Sequence, residues 1–236
     1  MACYSGPEIA DSGLVLALDA GNLNGFDDDE NLITHSSMSG WTVGVLGSGG
    51  ALPTGWVLDQ QQPGSTIQII GGGVEDGLNY VDIRFFATSV TTSNRTLIRP
   101  GNSVTTDGST YYLTSYSKLV SGSSTNLTHI TFQGGSLSLT SALARNSGTS
   151  SVFTGTLFPR YDVGYNGTGV AYDITIRFAA PQLEKGLSAS PYYPTTGTAK
   201  NRGTTLIDLT GRGNTGTLTN GPTYSSSNGG SIVFDG

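Results

Sequence analysis

Strict alternation is the feature that most constrains this chain. Tyr172-Asp-Ile-Thr-Ile-Arg-Phe178 places an apolar side chain at every second position, which is the geometry of a half-buried β-strand. Leu78–Phe86 does the same. Val81, Ile83 and Phe85 line one face, and Leu78, Tyr80, Asp82, Arg84 and Phe86 line the other. Trp41–Val45, Ser65–Ile70 (ending at the triple glycine 71–73), Tyr111–Leu119, Asn126–Phe132, Leu137–Leu143, Ser151–Phe158 and Arg160–Tyr165 read as further strands. Val104 falls between loops, and Gly50–Trp56 reads as a turn delivering a tryptophan. Strands recur about every 8–15 residues with turn signals between them, the spacing of a two-sheet sandwich or jelly roll.

No stretch sustains a 3.6-residue apolar period, and Lys, Glu, Gln and Met are scarce. The 35 glycines, with many Ser and Thr, supply the turns. The chain is therefore all-β: an antiparallel jelly-roll/β-sandwich with a small satellite β element. Leu14–Asp19 reads as a buried strand far from its partners, because the tail from Gly203 to Gly236 is too short to bury a core alone. The expected organisation is an N-terminal arm at 1–12, a split element made of 13–26 plus 203–236, and a larger β domain at 27–202. Unpaired edges in the split element invite pairing with another chain. The expected assembly residues are Leu14, Leu16, Leu18, Ile232 and Phe234.

Composition excludes several function classes. A net charge of −6 and a pI near 4.7 argue against a phosphate-binding surface, so no nucleic-acid partner is expected. No apolar run reaches the roughly 18–20 residues that span a bilayer, so no membrane insertion is expected. Cys3 is the single cysteine, which rules out an internal disulfide and a thiolate zinc cluster. The first residues carry neither a basic n-region nor an apolar h-region, so the sequence reads as made in a cytoplasm without a signal peptide.

Chemistry-bearing motifs are few. Gly211-Arg-Gly-Asn-Thr-Gly216 matches G-x-G-x-x-G in form, but the following Thr217–Pro222 cannot start the helix a dinucleotide site needs. His35 and His129 lack a cysteine partner, and there is no G-x-S-x-G elbow. The chain reads as a non-enzyme with no catalytic residues, cofactor or metal. Asp27-Asp28-Asp29-Glu30 is the one place where Ca²⁺ could be held, against the plainer reading of a solvated linker. Sequons at Asn94, Asn126 and Asn166 are chance matches without a secretory signal. The aromatic residues could stack on sugar faces or fill the core; the candidate glycan contacts are Tyr161, Tyr165 and Tyr192.

Two family patterns emerge from particular residues. Asn31-Leu-Ile, Gly50-Ala-Leu-Pro-Thr-Gly-Trp56, Gly77–Arg84, Ala180-Pro-Gln-Leu-Glu184 and Ser190-Pro-Tyr-Tyr-Pro-Thr-Thr-Gly197 resemble carbohydrate-binding-module-like jelly rolls found in bacteriophage tail and structural proteins. Leu14–Asn22 joined to Asp208–Tyr224 and Gly229–Gly236 resembles the opening of a concanavalin-A-like (laminin-G-type) lectin domain, a form common in marine cyanophage structural proteins. The resemblance implies a phage virion structural protein, in tail, fibre or capsid decoration, with the jelly roll inserted in the lectin-like motif. It implies partnership with itself and other virion proteins. The alternative it leaves open is a lectin-like module for host-surface glycans.

Overall fold

A computed structural model describes residues 30–91, 94–133, 135–147, 151–165, 167–186 and 189–200, with short strands at 205–206, 216–217, 223–225 and 231–233. The chain divides into two compact units, Glu30–Asn201 and a unit made of Met1–Asp29 with Arg202–Gly236. In the second unit the described elements are two antiparallel pairs. Thr205–Leu206 pairs with Gly216–Thr217, and Thr223–Ser225 pairs with Ser231–Val233, setting Tyr224 opposite Ile232. Leu14, Leu16, Leu18, Phe234, Cys3 and the acidic run 27–29 lie outside the described residues.

The larger unit is a β-sandwich, antiparallel except where Gly44–Leu46 pairs with Gly49–Gly50. Its strands in chain order are β1 (Gly44–Leu46), β2 (Gly49–Gly50), β3 (Trp56–Gln60), β4 (Ser65–Glu75), β5 (Leu78–Ala87), β6 (Asn94–Pro100) and β7 (Val104–Gly122). There follow β8 (His129–Phe132), β9 (Gly135–Ser136), β10 (Ala144–Ser147), β11 (Ser151–Leu157), β12 (Tyr161–Tyr165) and β13 (Tyr172–Lys185). One sheet runs β10-β7-β13-β5-β4-β1-β2, with β11 also on β7; the other runs β3-β6-β12-β8-β9. From β5 to β8, successive strands alternate between the two sheets, so the chain repeatedly crosses the sandwich.

The core forms where the two inner faces meet. Ile67, Ile69, Val81, Ile83, Phe85, Ile174, Ile176 and Phe178 come from the larger sheet, and Ile98, Phe132, Tyr161 and Val163 from the smaller. Burying such side chains stabilises by roughly 1.5–3 kcal/mol each. Tyr161 joins the layers. Its ring lies 4.3 Å from that of Phe178 across the sandwich, 4.7 Å from Phe132 and 5.6 Å from Trp56. Its buried hydroxyl meets Ser115 Oγ on β7, as a buried phenol requires.

The alternation expected for Leu78–Phe86 and Tyr172–Phe178 is observed, with Val81, Ile83 and Phe85 on the core side. Elsewhere strands exceed expectation. β4 continues through Gly71–Gly73 to Glu75 because β5 supplies ladder partners along its whole length. Val104 opens a 19-residue strand, not a loop, since β11 and then β13 pair with it in turn. Residues 137–143 form no strand; Leu137 tucks into the core from a loop. Asn94–Pro100, which has weak alternation, becomes β6 between two partner strands.

Candidate functional site

Three of the motifs that carry the jelly-roll resemblance, at Asn31, Ala180–Glu184 and Ser190–Gly197, converge on a buried polar seam joining the two ends of the larger unit. Asn31 is fully buried and bridges Lys200 through backbone bonds in both directions. Its Nδ2 donates to the carbonyls of Pro181 (3.2 Å) and Tyr193 (2.9 Å), and its Oδ1 accepts from the amides of Ile33 and Leu183. Gln182 Nε2 donates to Ser190 Oγ and the Pro191 carbonyl, while its Oε1 accepts from Tyr193 N. Glu184, 1% exposed, accepts from Ser190 N. Thr195 and Ser36 are bonded to each other through three contacts. A buried polar group left without a partner costs about 1–3 kcal/mol, so this seam has to be complete to be tolerated.

A β-bulge delivers the seam residues. Between the pairs Ala179↔Tyr116 and Gln182↔Thr114, β13 carries two residues against one on β7. Ala180 takes φ 48°, a left-handed conformation rare for alanine, and Pro181 occupies a place where no amide is needed. The Gly50–Trp56 motif is structural as well. Gly55 has φ +77°, and a Cβ there would lie 2.3 Å from the His35 ring, so the turn requires glycine. Trp56 is 7% exposed and donates from Nε1 to the His35 carbonyl.

The tyrosines expected to contact glycans are placed differently. Tyr161 is 0% exposed at the centre of the core, so its ring is closed to any ligand and that expectation is corrected. Tyr192 turns inward. Its hydroxyl donates to the Ser36 carbonyl at 2.8 Å, and burial pushes the phenol up to about 12. Tyr165 is half-buried against the core, with its amide and carbonyl both held by Gln62. Glu30 is buried with its carboxylate on the Lys185 amide.

At the other end of β13 the surface is open. A cavity of about 500 Å³ lies among Arg84, Phe86, Thr88, Asn126, Ala171 and Asp173. Arg84 Nε donates to Asp173 Oδ1 at 2.8 Å and Nη2 donates to Oδ2, a side-on bidentate pair. The guanidinium lies 4.3 Å from the Phe86 ring centroid, and Asn126 Nδ2 donates to the Ala171 carbonyl. Next along the same outer face, Arg177 joins Asp82 and Glu75, which also holds Lys118, and Arg177 lies 3.4 Å over the Tyr80 ring. Alternation alone puts Tyr80, Asp82, Arg84 and Phe86 on one face, but it carries no signal of their partner strand, since Asp173 and Arg177 lie about 90 residues away.

The Arg84 hydrogen bonds hold the Asp173 carboxyl below its usual range, and the Lys118 bond does the same for Glu75, so these groups are fixed as carboxylates instead of poised as proton donors. His35 and His129 each have Nδ1 against the hydroxyl of the preceding threonine. Among the described residues no group of three His, Cys, Asp or Glu side chains is gathered for a metal.

No protein-family model and no curated protein sequence matches the chain. Among solved structures it is similar to the tripod (BppUct-A-L) from the baseplate of bacteriophage Tuc2009, at 13% identity and a TM-score of 0.41, covering 86% of this chain and 77% of that chain.

Proposed function

We propose that the protein is a non-enzymatic structural component of a phage particle, in which residues 30–201 form a jelly-roll module carried between flanking segments. The observation that carries the module reading is the Asn31–Lys200 bridge: the two ends of the unit lie side by side, each one residue in from its boundary, as a domain inserted in another requires. The strand order supports the jelly roll. β5-β13-β7-β10 faces β6-β12-β8-β9, the order that folding a double Greek key across two sheets produces. The virion assignment comes from the sequence motifs of the two phage-type patterns. Mass spectrometry of purified particles is expected to find the protein in multiple copies; its absence from particles would sink this reading. Self-association, expected through the split element, is read by light scattering of the purified chain.

A second reading, a lectin-like module, is favoured by the charge distribution. Nine of the 11 Lys and Arg and nine of the 17 Asp and Glu fall within Glu30–Asn201, so that unit is formally neutral and the whole −6 belongs to the flanking unit. Its charges are also largely spent on one another, in pairs such as Arg84–Asp173, Arg99–Asp59 and Lys185–Asp107. A neutral, self-paired surface suits an uncharged partner.

A further inference from the structure

We propose that the cavity at Arg84, Phe86, Asn126 and Asp173 binds a neutral saccharide that presents adjacent hydroxyl groups. The proposal rests on the lectin-like reading of the module and locates its site. A sugar hydroxyl donates and accepts at once, so its recognition needs fixed donors and acceptors side by side. Arg84 commits Nε and Nη2 to Asp173 and keeps the Nη1 hydrogens for a ligand. Asp173, with its side chain 56% exposed, keeps the lone pairs that do not face Arg84. Asn126 donates to Ala171 and leaves its Oδ1 as an acceptor at the rim.

The side chains are already ordered. The carboxylate grips Arg84 from the side while Phe86 supports its plane, so little conformational freedom remains to be lost on binding. Phe86, Ala87 and Ala171 also line the cavity and supply apolar surface for the C–H face of a sugar ring. The Arg–Asp pair carries no net charge, which disfavours anionic ligands.

The test uses the full chain against immobilised neutral oligosaccharides built on glucose, galactose, mannose or N-acetylglucosamine, with sialylated and sulfated glycans alongside. Calorimetry then gives Kd for the best ligand. The unaltered protein is expected to bind a neutral oligosaccharide. Arg84→Gln and Asp173→Asn are each expected to weaken it by about tenfold or more, while Lys185→Gln at the far end of β13 leaves Kd unchanged. A circular dichroism spectrum matching the parent qualifies each variant, and Asp173→Asn alone suffices if Arg84→Gln does not fold. Neutral-sugar binding that survives both substitutions overturns the cavity and leaves the lectin-like reading standing. No binding of any glycan overturns both, and selectivity for sulfated or sialylated glycans overturns the ligand class.

Discussion

The two ends of β13 treat polar groups in opposite ways. At Pro181–Glu184 the polar side chains, Gln182 and Glu184, are buried and each is held by several hydrogen bonds. About 30 Å away, at ~3.3 Å per residue, Asp173 and Arg84 meet at a surface open to solvent. The first arrangement holds the two ends of the larger unit together and cannot lose a member cheaply. The second is pre-aligned but leaves hydrogen-bonding capacity unspent. One strand thus carries a closed polar seam at one end and an open polar surface at the other, and sequence position alone does not separate the two.

The contrast breaks most sharply at Asn31. Asn31→Ala strands the buried amides of Ile33 and Leu183 and frees two carbonyls. A loss of about 3 kcal/mol is expected, read as a lower urea midpoint, with sugar affinity of the surviving folded fraction unchanged. Gly55→Ala comes next. It forces a Cβ into the His35 ring at a φ of +77°, and a loss of about 2 kcal/mol is expected in the same assay. If either substitution leaves the midpoint where it was, the seam is not what closes the module.

Much of this architecture was legible in the sequence because alternation survives wherever one sheet face is buried. β5 and β13 announced themselves in this way, down to which residues share the outer face. The aromatic residues were misleading for a physical reason. A tyrosine's apolar ring and polar tip suit a sugar platform and a satisfied core equally well, and Tyr161 is fully buried because Ser115, 46 residues away, meets its hydroxyl. The QLE and YYPTTG motifs likewise resemble exposed polar sequence. Their role depends on Asn31 and Ser36, some 150 residues distant, and on a bulge at Ala180 that no local pattern signals.

Tyr192→Phe sharpens the comparison at smaller scale. It removes the hydrogen bond to the Ser36 carbonyl, and about 1 kcal/mol is expected to be lost at neutral pH. Alkali supplies the second readout. Folding raises the Tyr192 phenol from 10.0 to about 12 by burial, so its contribution is complete below pH 10 and is lost as pH rises from 10 towards 12. Tyr161 is raised as well by its burial and acts in the same direction. Stability of the parent protein is expected to fall above pH 10 in urea titrations, and less steeply in Tyr192→Phe.

The open end responds to acid and hardly at all to mutation. Hydrogen bonding from Arg84 depresses the Asp173 carboxyl below 3.8. Whatever stability it contributes is therefore present above that value and is lost as pH falls below it. Because both side chains are well exposed, solvent screens the pair and its worth is small. Arg84→Gln and Asp173→Asn are expected to leave the neutral-pH urea midpoint within experimental error of the parent. A clear drop in either would make the pair a structural tie like those of the seam. An unchanged midpoint together with weakened sugar binding would mean that its geometry is maintained for a partner.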